Sequence, residues 1–455
     1  MHEQSFLPFF GPFGWLAVML LIGVILRAKV GFFQKFLFPA AIIGGLIGFI
    51  VKSSGWCSIP YETFVTFAIH LFTINFISIG LTGTDEAATR HKGSMRRSMI
   101  RGMLWMACIY VAIISIQGLI GGATIFLTNL ITETPIYTGL GMLVATGFAQ
   151  GPGQTVALAA VWENTFHVNN AISIGLFFAA VGFFIASLVG VPLANWGVRR
   201  GFTQAGAGEL SRSMLTGLNP RKQGDPAGKL TTHSANVDGF AFQLAVVMGV
   251  YFLTYFECQL MKSILPGPLK ALAFGLMFLW GMFTAVIIRW LLGKIGVTDF
   301  IDNNVQRRIT GVSVDFMIVA TLMGVKVAAI WGSIVPILLI SLFAGLITFG
   351  FILYFGRRMD EYGFERMLAI FGTATGTGAS GLMLLRIVDP DFKSPAAAEL
   401  GLYNLFALVL LPLSLVTYPL PRMDVATLFM LLAGYAVVAL VALKIFGFWK
   451  REKIF

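Results

Sequence analysis

The sequence predicts an all-α polytopic membrane protein, and three observations carry that prediction. Hydrophobic residues make up 57% of the chain and charged residues only 12%, where a soluble domain carries about 25% charged residues. Mean hydropathy is +0.83, and the apolar residues fall in runs long enough to cross a bilayer, which takes ~17–25 residues of helix. The basic residues sit in short clusters between those runs, as the positive-inside rule requires. The 51 glycines and 42 phenylalanines fit membrane helices, which pack closely through small residues.

Other classes are excluded on the same residues. A net charge of +11 would suit nucleic acid, but no basic-aromatic stretch offers bases a stacking surface, so no nucleic-acid partner is expected. Cys57, Cys108 and Cys258 lie far apart without metal-ligand spacing and read as small buried apolar residues. The N-terminus has no basic segment ahead of its first apolar run, which reads as an uncleaved span. H-E-x-x-H, G-x-S-x-G and the P-loop lysine are missing. No enzyme and no cofactor is therefore expected.

Uninterrupted apolar runs lie near 8–26, 36–51, 64–83, 102–122, 171–196, 240–261, 269–292, 309–325, 327–355, 400–416 and 424–447. Two further stretches, 136–163 and 366–388, are interrupted. The first contains Gln150-Gly151-Pro152-Gly153-Gln154-Thr155 and the second Thr375-Gly376-Thr377-Gly378-Ala379-Ser380. Pro152 removes a backbone donor and paired glycines destabilise a helix interior, so neither core is expected to be continuous helix.

Charge counting sets how these stretches sit. If each enters and leaves on one side, the basic loop 197–239 joins Arg27/Lys29/Lys35, Arg90/Lys92/Arg96/Arg97/Arg101, Lys294/Arg307/Arg308, Arg357/Arg358 and Lys450/Arg451/Lys453 on the cytoplasmic side. Only Lys52, Lys262, Lys270, Lys326 and Arg422 then remain outside. The expected plan is two inverted five-helix repeats, each with a re-entrant broken hairpin, plus a C-terminal helix. The first repeat covers 1–196 with its hairpin near 136–163, and a cytoplasmic linker covers 197–239. The second repeat covers 240–416 with its hairpin near 366–388, and the extra helix covers 424–447. This places the chain in the inner (plasma) membrane, N-terminus outside and C-terminus cytoplasmic. Inverted repeats with interrupted helices mark secondary transporters.

The breaks are the strongest candidate site. They open helix N-termini near Gln154 and Ala379, whose free N–H groups and partial positive charge suit carboxylates. Gly151, Gly153, Gly376 and Gly378 let a ligand approach the backbone, and Gln150, Gln154, Thr155, Thr375, Thr377 and Ser380 add side-chain partners. The competing reading of the glycines is close helix packing. Arg386 follows the second break and pairs with either a substrate carboxylate or Asp389. Asp315 lies in an apolar span, where an acid costs ~2.5–3.5 kcal/mol on the insertion scale. It is expected to face the protein interior and to hold a cation or proton, the competing reading being an acid near the helix end that reaches water; Ser313, Thr73 and Asn75 complete the candidate Na⁺ site. Asn75-Phe76 and Asp315-Phe316 occupy matching places in the two halves. His70 reads as a packing residue.

Four stretches resemble the sodium/glutamate symporter family: Phe38-Pro39 with Ile43-Gly44-Gly45-Leu46, Phe76-Ile77-Ser78-Ile79-Gly80-Leu81, Ser313 with Phe316, Ala320, Leu322-Met323-Gly324 and Lys326, and Gly376-Thr377-Gly378-Ala379-Ser380. The family's first hairpin reads Gly-Gly-His-Gly-Thr-Gly, where this chain has Gln150-Gly151-Pro152-Gly153-Gln154-Thr155. The resemblance implies Na⁺-coupled uptake of glutamate or another acidic amino acid by a homodimer with an elevator-like movement. The residues alone leave open a channel or uniporter for a small anion, and an H⁺-coupled symporter of a different organic acid.

Overall fold

A computed structural model describes residues 10–83, 94–132, 135–206, 212–219, 228–233, 235–390, 392–406, 421 and 424–449. Every regular element among them is helical. The first half of the chain supplies α1 (Phe10–Lys29), α2 (Ala40–Ser53), α3 (Tyr61–Leu81), α4 (Ser94–Asn129), α5 (Gly151–Phe166), α6 (Ala171–Ile185) and α7 (Val191–Arg200). The second half supplies α8 (Gly239–Ile264), α9 (Met277–Lys294), α10 (Asn303–Met323), α11 (Ile334–Gly356), α12 (Gly363–Thr375), α13 (Gly378–Val388), α14 (Ala396–Phe406) and α15 (Val425–Ile445).

Eight helices among the described residues are long and apolar enough to cross a membrane, so the chain is polytopic. Three of the expected spans stand apart from that set. Helix α2 has only 14 residues. The first turns of α10 carry Gln306, Arg307 and Arg308, which lowers its hydropathy. Most of the run at 400–416 lies outside the described residues, as do Asp85-Glu86, Arg90, Lys92, Arg221, Lys222 and Lys450/Arg451/Lys453.

Helix boundaries follow local chemistry. The Asp238 carboxylate accepts from the Phe240 and Ala241 N–H groups at 2.9 and 3.1 Å to start α8. Asp302 accepts from Val305 N–H at 2.8 Å to start α10. Both are short acceptors at the N-cap, where they replace missing intrahelical partners. Gly201 ends α7 in the left-handed region, with φ 72°.

The chain folds as two compact units. One comprises Met1–Ala28, Pro39–Glu86 and Gly217–Gly324, and so contains α2, α3, α8, α9, α10 and nearly all of α1. In this unit α3 and α10 run antiparallel, with Ser78 against Gln306 at one end and Val65 beside Gly324 at the other. Ile77, Leu81, Val247, Val250, Ala285 and Ile309 form a buried apolar cluster. A polar seam crosses it. Ser78 Oγ donates to Gln306 Oε1 at 2.9 Å, Gln306 Nε2 to Gln243 Oε1 at 3.0 Å, and Gln243 Nε2 to the Phe300 carbonyl at 2.6 Å. Buried amides in such a chain stabilise one packing only when each has its partner. His70, expected as a packing residue, is exposed and shares a 2.6 Å hydrogen bond between its Nδ1 and Tyr251 OH.

The other unit comprises Lys29–Phe38, Ala87–Thr216 and Val325–Phe455, and so contains α4–α7 and α11–α15. Its base is polar. Arg366 and Glu399 are 1% and 0% exposed and form a bidentate ion pair, Nε to Oε2 at 2.7 Å and Nη2 to Oε1. Arg366 also donates to the Ser98 and Glu361 carbonyls. Glu365 accepts from the Gln204 and Ala205 N–H groups at 2.6 and 2.9 Å. The start of α12 is therefore tied to α14, to the N-terminal turn of α4 and to the segment after α7.

Candidate functional site

Both interrupted stretches are helix breaks. In the first, a 3₁₀ turn (Thr138–Met142), a short α-helical stretch (Leu143–Ala145) and a π turn (Thr146–Gln150) form one arm, and α5 forms the other. The arms are antiparallel, since Tyr137 at the base of one packs on Trp162 of the other, with ring centroids 6.1 Å apart. The chain turns at Gly151, with φ 81° and ψ 176°, a conformation open essentially to glycine. Pro152 then starts α5, where a missing N–H costs nothing. The second break is Gly376-Thr377, between α12 and α13. These helices pack back to back, Gly372 against Ser380 and Gly381 against Ala369.

The two breaks meet. A Cβ on Gly151 would lie 2.8 Å from Thr377 Cγ2 and 3.5 Å from the Gly376 carbonyl oxygen. Residues Gln150–Thr155 and Thr375–Ser380 are thus brought together, as tips of two helical hairpins. Neither α5 nor α13 has a side-chain N-cap, so both N-termini keep their first-turn N–H groups and positive dipole ends. Gly378 and Ala379 are exposed. The Thr155 and Thr375 hydroxyls are turned back onto their own helices, donating to the Gly151 and Phe371 carbonyls. Thr377 Oγ1 is buried and has no hydrogen-bond partner among the described residues.

One helix holds both breaks in place. Tyr110 OH donates to the Ala149 carbonyl at 2.8 Å, just before the first turn. Gln117 Nε2 donates to the Ala374 carbonyl at 3.1 Å, just before the second, and to Thr348 Oγ1 at 2.9 Å. Tyr110 and Gln117 are seven residues apart on α4, which is two turns and one face. A break frees the carbonyls of the turn before it, and non-helical backbone at membrane depth persists only where protein or a polar cavity satisfies it. Gln117 Oε1 remains buried and unpartnered among the described residues. Gly182 of α6 lies between the two breaks: a Cβ there would be 2.4 Å from the Thr375 carbonyl oxygen and 3.3 Å from Phe148 Cα.

Tyr110, Gln117, Thr348 and Gly182 are not visible as site residues in the sequence. Each is a single polar or small residue in an apolar run, and only the seven-residue spacing of Tyr110 and Gln117 hints at a shared face. Replacing Gln117 with leucine is expected to leave two acceptors unpaired, at about 1–3 kcal/mol. Uptake into vesicles should fall, while Gly249→Ala, with nothing within 4 Å of the added methyl, keeps the native rate.

The remaining candidates lie elsewhere. Arg386 is exposed, its guanidinium 5.2 Å from the Phe392 ring centroid. Asp389 accepts from the Lys393 and Ser394 N–H groups at 2.8 Å instead. Thr73, Asn75, Ser313 and Asp315 belong to the unit built on α3 and α10. Thr73, Asn75 and Ser313 are buried, and Asn75 Oδ1 has no partner among the described residues. Asp315, expected to face the interior, is exposed; it lies two residues, about 200°, around the helix from Ser313. A second acid within an apolar span, Glu257, accepts from Thr284 Oγ1 at 2.6 Å. No group of three His, Cys, Asp or Glu able to hold a metal occurs among the described residues.

A polytopic helical membrane protein with two broken hairpins meeting tip to tip has the architecture of a secondary transporter. The sodium/glutamate symporter family matches residues 13–363, and the chain belongs to that family, one of ion-coupled carriers of glutamate-like substrates. The match ends at the first residue of α12, so the second break lies beyond it. No curated protein matches the chain.

Proposed function

We propose that the chain is a Na⁺-coupled importer of a small carboxylate, glutamate or another acidic amino acid. It works as a homodimer in the plasma (inner) membrane, N-terminus outside. The observation that carries this reading is the meeting of the two breaks, which brings two uncapped helix N-termini together. Helix N-termini bind carboxylates without a basic side chain, and an acidic amino acid has a carboxylate for each. Gln150, Gly151, Gly153, Gln154 and Thr155 hold the substrate from one side. Thr375, Gly376, Thr377, Gly378 and Ser380 hold it from the other, and the unpartnered Thr377 Oγ1 offers it a hydrogen bond. Arg386 attracts the anion from the surface. The hairpins are re-entrant and enter from opposite faces.

The division of the chain supports the inverted repeat and an elevator-like movement. The first half gives α1–α3 and the second α8–α10 to one unit, and each gives its hairpin and flanking helices to the other. The hairpin-bearing unit travels and the other stays fixed. Intramembrane acids face a protein interior or water, and exposed Asp315 takes the cation, on the face of α10 away from buried Ser313. Transport is coupled when binding free energy differs between outward and inward states, so that only the empty or fully loaded carrier relocates.

The test is uptake of labelled L-glutamate into proteoliposomes with and without an inward Na⁺ gradient. Accumulation driven by Na⁺, and lost in Asp315→Asn, is expected. Uptake unaffected by any cation gradient would make the protein a channel or uniporter. Uptake driven by a proton gradient alone would replace Na⁺ by H⁺. Unchanged Na⁺ dependence in Asp315→Asn would remove that residue from coupling.

A further inference from the structure

A cavity of about 530 Å³ lies in the hairpin-bearing unit, away from the breaks, lined by Arg97, Ser98, Arg101, Asp360, Glu361 and Arg366, with Met359. Most of its charges are already matched. Arg366 is paired with Glu399, and Arg101 Nη2 lies 3.1 Å from Asp360 Oδ2. Arg97 and Glu361 are both exposed, and neither forms a salt bridge among the described residues. Among the described residues, one cation and one carboxylate are thus left over in a pocket that is otherwise neutral. A simple anion would meet Glu361 unfavourably, and a simple cation would meet Arg97. A ligand carrying both charges meets neither penalty.

The depth of the cavity narrows the ligand further. It lies at the N-terminal turns of α4 and just beyond the end of α11, where apolar sequence gives way to Arg357 and Arg358. Trp449 Nε1 donates to Tyr354 OH at 3.2 Å nearby, both side chains half exposed, and Arg101 lies 5.4 Å from the Phe448 ring centroid. Tryptophan and tyrosine at span ends mark the headgroup layer. Arginine forks suit phosphate oxygens, and an ammonium brings three donors for a carboxylate.

We propose that this cavity binds a phosphoethanolamine group, its phosphate on Arg97 and Arg101 and its primary ammonium on Glu361. The group comes either from phosphatidylethanolamine in the bilayer or from a free phosphoethanolamine. The full chain, purified in detergent, is titrated with phosphatidylethanolamine, phosphatidylcholine and phosphatidylglycerol while its melting temperature is followed. Phosphatidylethanolamine should raise it most, because phosphatidylcholine has no ammonium protons and phosphatidylglycerol no ammonium. Arg97→Gln and Glu361→Gln, both at exposed positions, should each weaken apparent phosphatidylethanolamine affinity about tenfold and leave the melting temperature without lipid unchanged. Displacement by soluble phosphoethanolamine supports the proposal with either source. Failure to displace, with the variant effects intact, supports it with the bilayer as source. Equal shifts with phosphatidylglycerol, or lipid shifts untouched by both variants, overturn it.

Discussion

Arg366→Met is expected to lose about 3–5 kcal/mol of stability, the cost of leaving one partner of a buried ion pair uncompensated. Glu399 is 0% exposed, and its carboxylate lies so close to Gly102 that a Cβ there would be 2.3 Å from all three carboxyl atoms. The Ser98 and Glu361 carbonyls lose donors in the same step. Glu399→Leu should be costly for the converse reason, since it strands a cation. The double variant Arg366→Met/Glu399→Leu removes both charges, and replacing a buried pair by apolar groups is often neutral. It should recover most of the loss. Unfolding of the three variants in one detergent checks this. A single variant as stable as the native chain would mean that the pair contributes nothing at the base of α12, and a double variant as unstable as the sum of the two singles would mean that the two charges are not coupled.

The breaks were legible in the sequence and their supports were not, and the reason is physical. Gly151-Pro152-Gly153 and Gly376-Thr377-Gly378 locally disfavour a helix that runs through them. Local incompatibility can be read from one segment. Tyr110, Gln117 and Gly182 matter only through what comes to lie beside them, namely carbonyls 39 and 257 residues away from the first two. An apolar helix with one glutamine reads the same whether that glutamine meets a carbonyl or another helix. The buried pair was hidden for a related reason. Arg366 and Glu399 are 33 residues apart and fall at the edges of apolar runs, where charges are normally solvated. Asp315 illustrates the opposite case. Its presence in an apolar span was plain, but one residue on a helix does not say which face it takes, and the expected interior orientation gave way to an exposed one.

Gly182→Ala should cut transport sharply while the protein still inserts and remains monodisperse. The added methyl would lie 2.4 Å from the Thr375 carbonyl oxygen, and 3.3 Å from Phe148 Cα. The first is a backbone atom, so no rotamer change relieves the clash; α6 or the end of α12 must move. Thr375 precedes the second break and Phe148 lies in the π turn before the first, so a shift at this point separates the tips. Overpacking of this kind costs about 1–3 kcal/mol, which the whole unit absorbs without unfolding. The site is more sensitive. Gln117 reaches the neighbouring Ala374 carbonyl at 3.1 Å, close to the useful limit for a hydrogen bond, and a small displacement of the break loses it. Uptake should therefore fall by at least about tenfold, the rate equivalent of 1.36 kcal/mol, with Gly249→Ala as the control. Native uptake in Gly182→Ala would show that the spacing of the two tips does not set the rate, and would move the substrate site away from their meeting point.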